Sequence, residues 1–236
     1  SSVDFTVASN GSGYWLDRTV NQVKTDAGAV VASGEVEVNT SKVHIKSRGI
    51  AGQNFVQNGL QGAGYLLITN ATSAESYSLP YATTFNTNGF SLSTGGDVNG
   101  SGTTFIAYQT LYTHIAWGAT SQGKFQIEAY NPVTNEGMIY YLGSGVAGHQ
   151  ISHSMGVEID YIEAKNLDDT PNWVTYDVVN GADYIMNLNL TDSASLNDEW
   201  SNTGPDSDYI YVNGVNNYVD KEHIMYYKCK SETFTI

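Results

Sequence analysis

The 236-residue chain carries 24 acidic and 10 basic residues, a net charge of −14, with 41% hydrophobic and only 14% charged side chains. An acidic excess of that size repels phosphate backbones, because nucleic-acid affinity depends on Lys and Arg displacing counterions, so DNA, RNA and anionic membranes are poor candidate partners. No run of about 18 apolar residues exists, so no membrane insertion is expected.

The first residues, Ser1 to Phe5, have neither a basic region nor an apolar run, and no signal peptide is visible in them. Helical periodicity is missing throughout, whereas strand signals are dense. In chain order, short β-branched and aromatic runs fall at residues 3–7, 35–38, 43–47, 65–69, 90–92, 104–109, 125–130, 138–142, 157–163, 173–178, 184–190, 209–212 and 223–230. Gly, Asn and Asp punctuate them, as in sandwiches and barrels. The single Cys229 follows the apolar run 224–227, which predicts a buried, inert thiol and argues against a disulfide-stapled secreted class. Five glycosylation sequons, at Asn10, Asn39, Asn70, Asn99 and Asn189, are what chance gives in a chain so rich in Asn, Ser and Thr.

Residues 62–110, moved forward by 119 positions without a gap, meet a second copy of themselves. Gly62, Ala63, Tyr65, Asn70, Thr72, Thr84, Gly95 and Tyr108 fall on Gly181, Ala182, Tyr184, Asn189, Thr191, Thr203, Gly214 and Tyr227. Allowing a small insertion extends the repeat upstream, with Asn54-Phe55-Val56 facing Asn172-Trp173-Val174. The expected fold is therefore all-β, two homologous antiparallel β-sandwich modules of jelly-roll type in tandem. The first spans residues 1–118 and the second 137–236, with 119–136 as a connecting segment that has a strand of its own.

The motifs Ile151-Ser152-His153-Ser154-Met155-Gly156, Lys165-Asn166, Asn172-Trp173-Val174-Thr175-Tyr176-Asp177, Gly181-Ala182 and Asp198-Glu199-Trp200-Ser201-Asn202-Thr203 follow in order in the second half. The first half adds Asp97-Val98-Asn99-Gly100-Ser101-Gly102. This succession resembles the repeated modules of unassigned function in marine phage virion proteins, often tail-fibre-like or adhesin-like chains. The resemblance covers most of the second half and the later part of the first. It implies a non-enzymatic structural protein of the virion surface, a tail fibre, head fibre or decoration. Its partners would be other virion proteins, further copies of itself (a trimer by analogy with fibres) and a cell-surface glycan. It supplies no catalytic residues. Val215-Asn216-Asn217-Tyr218 replaces the Gly-rich turn in the second copy, so what that turn does need not be done twice.

His149 and His153 stand four apart, but the Gly-flanked sequence around them predicts a turn or strand, and structural imidazoles rather than metal ligands. Asp97, Asn99 and Ser101 place oxygens at alternate positions ahead of Gly102, a pattern that could present ligands to calcium; the closing acid is missing, since Tyr108 stands at the twelfth position. A Gly/Asn turn is the plainer reading. Asp168-Asp169 and Asp206-Ser207-Asp208 flank prolines and read as turn acids, not as a hydrolytic pair. Among the aromatics, Trp173 in an alternating strand is expected in the core. Trp200, within the polar loop 197–203, is the aromatic that reads as a surface ring, and it and its counterpart Tyr81 either hold a sugar or serve as loop anchors packed down on the sheet. The alternative to a virion protein is a free carbohydrate-binding module or lectin.

Overall fold

A computed structural model describes residues 2–6, 13–48, 53–62, 64–77, 82–86, 89–94, 101–102 and 104–230. The fold is all-β, with no α-helix among the described residues and a single 3-10 turn at Gly214–Asn217. An N-terminal antiparallel sheet is formed in order by β1 (Ser2–Thr6), β2 (Gly13–Asp17), β3 (Gln22–Thr25) and β4 (Val30–Val31). The first half continues with β5 (Gly34–Arg48), β6 (Phe55–Asn58), β7 (Tyr65–Ile68), β8 (Ser76–Tyr77), β9 (Ala82–Asn86), β10 (Gly89–Leu92) and β11 (Thr104–Ala119). Two central strands follow, β12 (Phe125–Asn131) and β13 (Glu136–Leu142). The second half holds β14 (His149–Ser152), β15 (Ile159–Asn166), β16 (Val174–Asp177), β17 (Tyr184–Asn187), β18 (Ser195–Leu196), β19 (Tyr209–Val212) and β20 (Glu222–Cys229).

One antiparallel sheet of 12 strands runs through both halves in the order β8-β7-β6-β5-β11-β12-β13-β20-β15-β16-β17-β18. Read outward from the β12–β13 hairpin, this order is a palindrome of the sequence repeat. β6, β7 and β8 each lie 119 positions before β16, β17 and β18. Their hydrogen bonds repeat as well. Asn70 Oδ1 accepts from the Asn54 amide at 2.8 Å, and Asn189 Oδ1 accepts from the Trp173 amide at 2.8 Å. Gly62 N donates to Asn58 O at 3.0 Å, and Gly181 N to Asp177 O at 2.9 Å. Both glycines have positive φ, 90° and 78°, which a side chain would disfavour.

These bonds correct the upstream alignment. Asn54 corresponds to Trp173, and the offset of 119 holds with no insertion. The slip lies instead at the last strand, where Lys42 pairs with Thr110 but Tyr161, 119 positions later, pairs with Lys228. By register Tyr108 therefore corresponds to Tyr226, not to Tyr227. A one-residue slip exchanges the faces of a strand, so the identity of Tyr108 and Tyr227 is a coincidence of composition.

Alternation sorts the side chains into layers. On β13, Met138 and Tyr140 enter a central cluster and Ile139 and Tyr141 an outer one; on β20, Ile224 and Tyr226 point inward while Met225 and Tyr227 point outward. Both faces of these strands are buried, which is why they read as unbroken apolar runs. The central cluster draws Leu16 and Val23 from the N-terminal sheet, Val56 and Leu67 from the first half and Trp173 from the second. The small sheet β14-β19 covers the outer cluster of the second half through Ile151 and Ile210, and β9-β10 covers that of the first through Phe85 and Phe90. The result is sandwich-like.

The long sheet curls until strands far apart in its order touch. Trp173 Nε1 donates to Ile68 O at 2.9 Å, Asn58 Nδ2 to Tyr226 Oη at 2.9 Å, and Glu75 N to Leu167 O at 2.8 Å. Lys165, 1% exposed, donates from Nζ to Thr72 O at 3.0 Å and Pro171 O at 2.7 Å. Arg18, in the turn after β2, reaches Glu75 of the first half at 2.7 Å and Glu222 of the second at 2.5 Å. Its guanidinium lies over Tyr65 and Tyr140, 4.2 and 5.2 Å from the ring centres.

Candidate functional site

At one end of the inner layer apolar packing gives way to ionisable side chains around a cleft of about 190 Å³. Register explains the assembly. Tyr226 and Lys228 stand two apart on β20 and share a face; Glu163 and Tyr161 oppose them on β15, and Glu136 opposes Lys228 on β13. From the other half, β5 contributes Lys42 and β11 its directly opposite neighbour Thr110, with buried Tyr112 beneath.

Lys42 Nζ lies 4.6 Å from the centre of the Tyr226 ring and makes no hydrogen bond or ion pair within the described residues. Burial lowers its pKa, against the pull of Glu163 and Glu136. The Tyr161 hydroxyl donates to Glu163 Oε1 at 3.3 Å, and Lys228 Nζ stands 4.0 Å from Glu136 Oε1. Two cations thus face two carboxylates, with phenol rings forming the floor. Lys42 and Tyr161 are repeat equivalents, as are Thr110 and Lys228 by register, so the cleft straddles the line relating the halves while its two sides differ chemically.

Trp200 is not a surface aromatic. Its ring is fully buried, donates from Nε1 to Thr175 O at 3.3 Å and meets Tyr176 edge-on at 5.9 Å. The polar loop around it bonds to itself and its neighbours, with Asn197 Oδ1 accepting from Glu199 N at 3.0 Å and Glu199 accepting from Asn216 N at 3.3 Å. Polar composition there marks a tight turn that leaves Asp198, Asn202 and Thr203 exposed and carries Glu199 and Trp200 inward. Tyr81, Asp97 and Asn99 lie outside the described residues; Ser101 is exposed in a turn. Trp173 is in the core, as its alternation predicts.

His149 is fully buried, its ring held between Asn217 Oδ1 at 2.9 Å and Thr120 Oγ1 at 2.7 Å. His153 contacts the Asp206 carbonyl at 3.1 Å. Asp206 fastens its own loop, accepting from the Asp208 and Tyr209 amides and from Tyr211 Oη at 2.6 Å. Asp168 accepts from the Glu222 amide at 2.8 Å. Cys229 is buried, and burial pushes its thiol up to about 12.

The family model described as "Domain of unknown function (DUF7483)" matches residues 18–235. The chain belongs to the DUF7483 family. No curated protein and no solved structure matches it. The DUF7483 match starts at Arg18 and takes in both halves, the central hairpin and the whole cleft, so the duplicated pair is the unit this family describes.

On the outer face, Glu128 of β12 is 1% exposed and accepts from Ser154 N and Oγ, at 3.0 and 2.6 Å, and from Tyr227 Oη. Burial pushes it up to about 7, with the Ser154 and Tyr227 bonds pulling down. A carboxyl raised from 4.5 to about 7 stabilises the fold below pH 4.5, and that contribution is lost as pH rises through 7. Half-buried His44 and buried His223, lowered to about 4, act oppositely, losing stability as pH falls below 6.5. The two trends offset each other in the parent protein, so a single variant isolates one. From pH 4.5 to 7.5, Glu128→Gln is expected to gain about 3 kcal/mol relative to the parent in urea unfolding. A difference that does not change with pH would mean that Glu128 is ionised throughout.

Proposed function

We propose that the chain is a non-enzymatic phage virion structural protein, a tail fibre, head fibre or capsid decoration, that contributes to host-surface adhesion or assembly from the virion surface. The observation that carries this reading is a duplicated β scaffold in which core, turns and hydrogen bonds recur while the cleft and loop side chains diverge. Two homologous sandwich-like modules in tandem, residues 1–118 and 137–236 joined by 119–136, are the finer form of the same reading. The turn acids support it too, since Asp168 and Asp206 are engaged in fastening loops. In a symmetric oligomer, several copies of a weak site raise avidity by orders of magnitude without a tight pocket.

A free carbohydrate-binding module is the second reading, favoured by the cleft, which would serve equally in a monomer. Light scattering together with a glycan array on the native protein separates the two. A trimer that retains glycans supports virion adhesion. A monomer that retains them supports the free module, and an oligomer that retains none leaves assembly and removes adhesion.

A further inference from the structure

We propose that the cleft between Lys42 and Glu163 is a binding site for one neutral, hydroxyl-rich ring, a single uncharged sugar residue, and that each duplicated chain has one such site and not two. The proposal takes its biological role from the adhesion reading, but its argument is local.

Size sets the first limit. At about 190 Å³ the cleft lies below the ~300 Å³ at which pockets for drug-sized ligands begin, yet far above the ~15 Å³ that one water needs. A single ring fits, and an oligosaccharide could place only one of its residues inside.

Charge sets the second. Lys42 and Lys228 balance Glu136 and Glu163. An anionic ligand would meet two carboxylates and a cationic one two amines, whereas hydroxyls, which both donate and accept, satisfy all four groups at once. Half-buried Lys42 is the clearest demand. Within the described residues its Nζ meets only a ring face, so solvent or a ligand in the cleft must supply its acceptor. A ligand hydroxyl oxygen supplies that acceptor. Glu163, which already accepts from Tyr161, can accept from a neighbouring hydroxyl.

Stoichiometry follows from the repeat. A symmetric pair of sites would need equivalent residues to line two clefts, but here Lys42 and its equivalent Tyr161, and Thr110 and its equivalent Lys228, line the same one. The duplication made a single site by bringing two unlike surfaces together.

The test is protein-observed NMR with glucose, galactose, mannose and N-acetylglucosamine up to about 50 mM, well above the ~1 mM scale of a weak site. Glucuronate and glucosamine serve as charged comparisons. The expected result is saturable shifts confined to the cleft strands with at least one neutral sugar, one bound per chain, and weaker binding of both charged sugars. Lys42→Met keeps the side-chain stem, and Glu163→Gln keeps an acceptor; each is expected to weaken binding about tenfold, the loss of a charge-assisted hydrogen bond. No cleft shifts with any neutral sugar, two sugars per chain, or affinity unchanged in both variants would overturn the proposal. The array distinguishes this failure from that of adhesion. Glycans still held by the native Lys42→Met protein would keep adhesion and sink the cleft, whereas cleft shifts with a blank array would keep the site and remove adhesion.

Discussion

Arg18→Ala is expected to cost about 3–5 kcal/mol of folding stability, the scale for removing one partner of a buried ion pair. Arg18 ties the N-terminal sheet to Glu75 in the first half and Glu222 in the second, at 2.7 and 2.5 Å, with its side chain 5% exposed. Burial by itself would lower its pKa, but Glu75, Tyr140 and Glu222 together outweigh that and the guanidinium stays charged. Burial also pushes Glu75 up to about 7 in spite of Arg18. Without the arginine, Glu75 loses the influence that limits its rise to about 7 and takes up a proton more readily. The defect is therefore larger at pH 8, where the stranded carboxylate must ionise, than at pH 5.5, where it is neutral. Urea midpoints at the two pH values measure this, and equal losses at both would show that the pair's charge is not what matters. Arg18→Lys should fall between: a single nitrogen, Nη2, meets both acids, so an ammonium can replace part of that contact, but the guanidinium plane over Tyr65 and Tyr140 is lost.

Trp173→Ala is expected to cost about 3–5 kcal/mol through the cavity left by a fully buried indole. The ring stacks on Tyr226 at 6.4 Å and an inter-plane angle of 17°, and its Nε1 closes the contact between halves by donating to Ile68 O at 2.9 Å. Trp173→Phe keeps most of the volume and leaves Ile68 O with the longer bond from Ala71 N at 3.4 Å, for about 1 kcal/mol. Because one sheet passes through both halves, the alanine variant should still unfold in a single transition by fluorescence and circular dichroism. Two separated transitions would show halves that unfold independently.

Much of this architecture was legible in the chain. Runs 138–142 and 223–230 read as strands because both faces are buried, and the 119-residue offset recurs in backbone hydrogen bonds. Shorter strands escaped notice. β3 and β4 have four and two residues, too few to show a period, and they are held by pairing onto β2 and by Val23 and Val31 at the central cluster. β5 runs unbroken for 15 residues through Asn39-Thr40-Ser41-Lys42, a polar stretch that reads as a loop, because β11 pairs along its length and buries Ser41.

The candidate site was less legible. Trp200 looked exposed because its loop is polar, yet Asn197 and Glu199 bond within the loop and to the neighbouring Asn216. Lys42, Glu136 and Glu163 lie far apart in sequence, each on a strand whose other residues are ordinary. The alternation of Tyr161 and Glu163 was the only local hint.

By itself, then, the sequence determined the all-β class, the duplicated scaffold, the core position of Trp173 and the inert burial of Cys229, since local periodicity and composition govern those features. Only the tertiary structure decided that both copies join one sheet about the β12–β13 hairpin, that the last strand is offset by one residue, and that unlike residues of the two copies meet in one cleft. Those outcomes depend on strand register and on how far the sheet curls. Register is set by pairings between strands tens of positions apart, and the curl by contacts such as Asn58 with Tyr226, 168 positions apart, which no local pattern encodes.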